Sequence, residues 1–470
     1  MTMAQELASF VERASFDNLS PAVRDALRLR ILDALGCALG ALDAEPIRAI
    51  RGFIDEVGGR PLCTLIGGRG RTAPDRAAFL NGALVRYLDF NDAYLARGET
   101  CHPSDNLSAV LAAAENARAS GRTLMTALAV AYQVQCRLSD EAPVRSRGFD
   151  HTTHGAIAAA AGVSHALGLD VARTSNAIAI AVTTSPALRV TRTGTLSNWK
   201  GLAAPDAARL GLQAALLASH GITGPPEAFE GNKGFIDTIS GVFRLDWRAE
   251  GLDRVTETSI KRYDAEIHAQ SAIEALLELR EQLGAAPFGI RRIDIDVFDV
   301  AHRIIGGGEE GDKTVVRTKE QADHSLPYMA AVAALDGRLG PEQYAPERIG
   351  RSDVQQLLRR VVVRPDPALT ARFPAEHACR VRLELEDGRV LVEEKRDYLG
   401  YRTRPASWEA VRAKLEALSA RDLSPSQQAG IVDAVSRLEH LTTADLCARL
   451  CVEDPHHDRA NTSSKEACDE

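Results

Sequence analysis

The hydrophobic period of this 470-residue chain changes near Arg262, and that change divides what the chain can build. Up to about residue 257 the apolar positions recur at helical spacing, and the segments are rich in Ala and other small residues. Residues 21–42, 74–88, 107–117, 122–138 and 155–169 read as helices punctuated by Gly or Pro. Small side chains let helix axes approach closely, so this part predicts an all-helical bundle. After a helix from about residue 265 to 283, the run 292–297 (Arg-Ile-Asp-Ile-Asp-Val) alternates with the period of a half-buried strand. A weaker strand candidate lies at 357–363. Residues 379–385 and 389–392 flank Asp387-Gly388, a hairpin signal of two strand-like runs around a DG turn. Helical spacing returns at Trp408 and again over 424–441. The fold class expected is therefore mainly α with a smaller α+β domain: a helical domain over 1–259, an α+β domain over 260–398, and a return to the helical domain over 399–452. The polar stretch 453–470, which holds His456 and His457, predicts a disordered tail.

A net charge of −8 supplies no basic face, which argues against a nucleic-acid or anionic-membrane partner. An anionic substrate would have to be held by local cations and helix ends. The first nineteen residues carry Glu6, Glu12, Arg13 and Asp17 and have no uninterrupted apolar core, so they do not read as a signal peptide. The longest apolar runs are broken by Ser, His, Thr or Asp, and none predicts a membrane span. A cytoplasmic protein is expected. The eight cysteines are dispersed with no CxxC pair, which fits reduced thiols and offers no set for an iron–sulfur cluster. Cys101, beside His102, reads as a small space-filler.

Chemistry concentrates in a few short segments. Asp89-Phe-Asn-Asp92 is followed ten residues later by His102-Pro-Ser-Asp-Asn106, with Ser104 or Asp105 expected to cap the helix that follows. His151-Thr-Thr-His154 precedes a second small-residue helix. Ser197-Asn-Trp-Lys200 precedes a third, in which Pro205 suits a first helical turn. If these three helix starts converge, they make a pocket with one fixed cation and two titratable bases, suited to a small polycarboxylate and proton transfer. Lys261-Arg-Tyr-Asp-Ala-Glu266-Ile-His268 concentrates six ionisable groups at the expected domain junction. Asp323-His-Ser-Leu-Pro-Tyr328 opens a further apolar helix, with Asp323 or Ser325 as its cap. His151 and His154 have the i,i+3 spacing of a metal pair, but nothing in this chemistry asks for a metal, and none is expected. His165 and His220 read as core or helix-end residues.

The segments DFNDAYLARGETCHPSDN, GFDHTTHGAI, LSNWKGLAAPDAARLG, HGITGPPEAFEGNKGF, KRYDAEIHAQSA and ADHSLPYMAAVAALDG, in this order, resemble the MmgE/PrpD family over roughly residues 5–445. That family includes enzymes that dehydrate 2-methylcitrate, decarboxylate cis-aconitate and epimerise iminodisuccinate. The resemblance implies a helical domain built from both chain ends, an inserted α/β lid, a site in the cleft between them, a homodimer, and no metal or organic cofactor. It carries Asp89, His102, His151, Lys200, Lys261 and Tyr328 into the pocket. His102 and His151 would be the acid/base pair, Asp89 would orient a histidine, and Lys200 and Lys261 would stabilise developing charge. Tyr328, Glu266, His268 and Ser104 would contact substrate. The chain departs from the family pattern at Ala93, where a Thr is common, and at Asp264, where Pro is common. Glu266 and Gln270, together with WKG around Lys200, favour the dehydratase branch. The activity implied is a hydro-lyase acting on a small tricarboxylate such as 2-methylcitrate. A related decarboxylase or epimerase is the alternative, and a non-catalytic helical binding protein is the reading from another class.

Overall fold

The computed structural model describes residues 1–68, 70–284 and 289–451. The polar tail expected over 453–470 lies outside the described residues. The first half consists of α1 (Met3–Arg13), α2 (Pro21–Gly40), α3 (Glu45–Val57), α4 (Pro74–Tyr87), α5 (Leu107–Asn116), α6 (Gly121–Glu141), α7 (Thr152–Ala166), α8 (Val171–Thr184) and α9 (Trp199–Ser219). Helix α7 is buried along nearly its whole length and packs against α5, α6, α8 and α9. Its small residues make this possible. A Cβ added at Gly211 of α9 would stand 2.5 Å from the Ala156 carbonyl oxygen and 2.7 Å from Ala159 Cβ. One at Gly162 would stand 2.8 Å from the Ala127 carbonyl of α6. The Ala- and Gly-rich composition is thus the condition for helix contact at this distance.

The second half adds α10 (Gln270–Gln282), β1 (Ile290–Val297), α11 (Asp299–Ile305), α12 (Lys319–Ala322), α13 (Leu326–Asp336), β2 (Val361–Pro365), β3 (Cys379–Leu385) and β4 (Val390–Lys395). The strands form one sheet in the order β2-β1-β3-β4. β1 and β2 are parallel, with Ile293 opposite Val361, while β1–β3 and β3–β4 are antiparallel. Alternation places Ile293, Ile295 and Val297 in the core together with Val381, Leu383 and Leu385. Helices α14 (Trp408–Ser419) and α15 (Pro425–Ser436) follow, and then a short helix at Thr443–Arg449. α14 lies along α2, and Gly36 of α2 would bring a Cβ to 3.1 Å from Leu415 Cα. One apolar core therefore contains residues 4–260 together with residues 411–450, and a separate one gathers residues 265–385. No helix among the described residues is long and apolar enough to cross a membrane.

Three local expectations need correction. The helix expected from about 265 begins at Gln270. The Gln270 side chain accepts from the Arg262 and Tyr263 amides (3.0 and 3.1 Å) and donates to the Tyr263 and Ala265 carbonyls (both 3.0 Å), so it satisfies the irregular backbone before it. Neither Ser104 nor Asp105 caps α5. Both lie in a 3₁₀ turn, Pro103–Asn106, and their side chains face Asn91 instead. Pro205 falls inside α9, which starts earlier at Trp199, and this puts Lys200 in the first turn. At α13 Ser325 is the cap, accepting from the Tyr328 amide at 3.0 Å.

Candidate active site

The end of α4 sets Asp89. Its amide donates to the Arg86 carbonyl at 3.0 Å, and its φ of +57° is a left-handed conformation that Asp tolerates better than most residues. The turn distributes its side chains to different partners. The Asp89 carboxylate takes the Arg86 guanidinium and the Lys261 ammonium, the latter at 2.8 Å, and Lys261 also bonds the Asp89 carbonyl. Asn91 donates to Ser104 Oγ and Asp105 Oδ1, both at 2.9 Å. Asp92 accepts the Ser104 amide at 3.1 Å and the Tyr132 hydroxyl at 2.8 Å. Helix α14 secures the turn from behind: Lys414 donates to the carbonyls of Phe90 (2.7 Å) and Lys261 (3.1 Å) and pairs with Asp33.

His102 Nδ1 lies 2.7 Å from the Asp92 carbonyl oxygen. A carbonyl only accepts, so Nδ1 carries the proton and Nε2 of the neutral ring keeps its lone pair. Burial, with Arg86 and Lys261 close by, holds His102 well below the usual histidine range. The ring lines a cavity whose wall also includes Asp89, His151, Glu266 and His324. His151 meets His102 edge-on, with centroids 5.5 Å apart. Its Nδ1 is 3.3 Å from Asp150, while Nε2 is buried without a hydrogen-bond partner. Asp150 is gripped by Arg192 at 2.6 and 3.2 Å, with Arg189 at 3.8 Å, and these cations keep it ionised far below the ordinary carboxylate range. Burial above all, with Arg192, Arg86 and Arg189, pushes His151 down to about 3 against the pull of Asp150. Both imidazoles are therefore neutral bases. Two carboxyls on the same wall behave oppositely: burial pushes Glu266 and Glu99 up to about 7.

Lys200 enters from the first turn of α9, the positive end of a helix. Burial there lowers its ammonium to about 8, although Asp323 holds it and His324 Nδ1 lies 2.7 Å away. Asp323 also takes Lys319 at 2.7 Å, and His324 stands 3.7 Å from Asp89. Lys200 thus joins the cavity through His324 and lines an adjoining hollow with Arg86 and Asp89. The donor atoms of Asp89, Asp323 and His324 lie within 4.8 Å of one another, the spacing a metal would need. Lys200, Lys319, Lys261 and Arg86 already engage those carboxylates, so a divalent ion would have to displace cations from them.

Of the residues singled out in sequence, Asp89, His102, His151 and Glu266 line one cavity, with Lys261 buried beneath Asp89 and Lys200 next to it. Three do not meet the cavity. Tyr328 is buried in the core around the sheet, and its hydroxyl donates to the Gln343 carbonyl. His268 packs edge-on to Phe298 and Phe373, with neither ring nitrogen hydrogen-bonded, and its amide supports Glu266 at 2.7 Å. Ser104 is absorbed by the loop contacts above. His154 likewise turns away, against Phe235. Sequence reading passed over Arg86, Arg145, Arg189, Arg192, His324 and Glu310, all on the cavity wall. Arg86 had one available signal, its position three residues before Asp89 at a helix end. His324 had another, its place beside the cap of α13.

Residues 5–248 match the MmgE/PrpD N-terminal domain and residues 263–440 match the MmgE/PrpD C-terminal domain. The chain is 31% identical to the 2-methylcitrate dehydratase of Salmonella typhimurium over 460 residues, 91% of this chain and 93% of that protein. It is 32% identical to the 2-methylcitrate dehydratase of Cupriavidus necator over 443 residues, 87% of this chain and 88% of that protein. The cis-aconitate decarboxylase of Mus musculus is 24% identical over 474 residues, 96% of this chain and 93% of that protein.

Proposed function

The chain belongs to the MmgE/PrpD family, and from that premise we propose that it is a hydro-lyase whose arginine- and histidine-lined cavity dehydrates 2-methylcitrate, or a close tricarboxylate, with its own side chains as acid and base. The observation that carries this reading is the fixed tautomer of His102, which aims a neutral Nε2 into a cavity walled by cations. In the proposed step Nε2 takes the proton from the carbon next to a substrate carboxylate. The C–H electron pair moves first toward that carboxylate, where Arg86, Lys261 and Lys200 stabilise the charge, and then into the new C=C bond. The C–O bond breaks, and Glu266, half-protonated near neutral pH, gives its proton to the departing hydroxide to form water. His151 Nε2, free of protein partners, accepts from the substrate hydroxyl and orients it. Exchange with solvent returns the His102 proton and restores that of Glu266.

The separate apolar core around the sheet supports a further part of the proposal: residues 260–398 form a lid that brings Glu266 and His324 to the helical domain of 1–259 and 399–452. The family resemblance adds a homodimer to the proposal. The likeness to cis-aconitate decarboxylase favours decarboxylation as the second reading, since that reaction also builds charge beside a carboxylate. NMR of the purified protein with 2-methylcitrate, cis-aconitate and iminodisuccinate separates the cases. Dehydration of 2-methylcitrate collapses its methyl doublet to a singlet, because the neighbouring C–H is lost. Turnover of cis-aconitate alone would replace the first reading by the second, and no product from any of the three would end both.

A further inference from the structure

The cations on the cavity wall are unequally satisfied. Arg192 is committed to Asp150 by two bonds and Arg86 to Asp89, whereas Arg145 and Arg189 converge on a single carboxylate oxygen. That oxygen is Glu310 Oε1, 2.5 Å from Arg189 and 3.4 Å from Arg145. The Glu310 side chain is 3% exposed, yet its second oxygen is buried with no hydrogen-bond partner. Two guanidiniums facing one carboxylate ordinarily engage both oxygens, and an orphaned buried oxygen is costly. The half-made contact is what an approximate substitute for another carboxylate would leave. Glu310 also arrives from the other apolar core, on the segment between α11 and α12, where Gly307 (φ +101°) and Gly311 (φ +89°) flank it in left-handed conformations. Arg145 adds to the case: burial and the nearby Arg189 both disfavour its charge, so the pair requires an anion between them.

We propose that Arg145 and Arg189 form a carboxylate subsite, that Glu310 fills it in the unliganded protein, and that one carboxylate of the polyacid substrate displaces Glu310 on binding. The inference rests on the proposed function only for the class of substrate. Arg86, at Asp89, lies elsewhere on the wall, so the remaining carboxylates of the polyacid meet a second cation.

The test is isothermal titration of the full chain with propane-1,2,3-tricarboxylate, which has no hydroxyl to eliminate. If Glu310 holds the subsite about nine-tenths of the time, Glu310→Gln binds the tricarboxylate about tenfold tighter. Arg189→Gln loosens the tricarboxylate by about tenfold. Glu310→Asp, which keeps the charge but shortens the reach, tightens it as well and serves if the Gln variant does not fold. Unchanged or weaker tricarboxylate binding in both Glu310 variants would make Glu310 a simple strut and overturn the proposal, as would no binding by any form. Turnover of 2-methylcitrate is measured separately. Tightening without turnover keeps the subsite and sinks the dehydratase, and turnover without tightening does the reverse.

Discussion

His102 Nδ1 donates a hydrogen bond to the backbone carbonyl of Asp92 across 2.7 Å, so the base proposed for this site is oriented by main chain. The carbonyl is in turn fixed because the Asp92 carboxylate holds the Ser104 amide and the Tyr132 hydroxyl. Replacing His102 with Gln keeps a donor for that carbonyl and removes the base. The expected result is a fall in kcat of about 10²–10⁴, the usual worth of one acid/base group, with an unchanged circular dichroism spectrum. Near-native turnover in a folded His102→Gln protein would remove His102 from the mechanism.

The pH profile should be displaced toward acid. The base must be neutral, and His102 lies well below the usual histidine value, so its active form persists as pH falls through 6.5 and is lost only further down. The acid must be protonated, and Glu266, raised to about 7, loses its proton as pH rises through that value. Lys200, lowered to about 8, then loses its charge. kcat/KM should therefore decline from about pH 7 upward. In Glu266→Gln the limb near 7 should vanish, leaving a weaker enzyme whose decline begins near 8. A wild-type profile that climbs steadily from pH 6 to 9 would contradict this assignment.

How much of this was legible in the sequence differs by physical cause. The helices around α7 and the DG hairpin follow from periodicity and turn chemistry, which are local, and they were read correctly to within a few residues. Pro205 reads in sequence as a first-turn residue, which would leave Lys200 in a loop, whereas α9 starts at Trp199 and accommodates the proline in its interior. Tyr328 lies four residues after His324, but His324 precedes the Ser325 cap and is not held to helical spacing: it turns to Asp89, while Tyr328 in the first turn of α13 enters the core around the sheet. Arg145, Arg189 and Arg192 gave no signal, since arginines are ordinary surface residues. Only their partners, Asp150 and the distant Glu310, make them interior ones.

Asp323 should matter more to stability than Lys200. It neutralises Lys200 and Lys319 together and bonds His324 at 2.8 Å, all within buried surroundings. Asp323→Asn leaves the buried Lys200 ammonium and the half-buried Lys319 facing an amide, and the expected loss is about 3–5 kcal/mol, the cost of breaking a buried pair from one side. Lys200→Met leaves Asp323 still paired with Lys319 and should cost less. Urea melts of the two variants check the order, and an Asp323→Asn protein as stable as Lys200→Met would show that Lys319 finds another partner.

Two glycines inside helices should respond to alanine with opposite signs. Gly52 lies in the exposed part of α3, and a Cβ there meets nothing within 4 Å, so Gly52→Ala should stabilise by about 0.5–1 kcal/mol through helix propensity alone. Gly211 gains the same propensity, but its Cβ would stand 2.5 Å from the Ala156 carbonyl oxygen and 2.8 Å from the Ala160 amide nitrogen, both main-chain atoms that no side-chain rotation can move. Overpacking of this kind costs about 1–3 kcal/mol, which exceeds the gain. Relief requires α9 to shift relative to α7, and these two helices carry Lys200 and the end at which His151 stands. Gly211→Ala should therefore lower both the melting temperature and kcat, whereas Gly52→Ala raises the first and leaves the second alone. Equal responses at the two positions, measured by thermal melts and turnover on the same preparations, would show that the α7–α9 contact does not set the site.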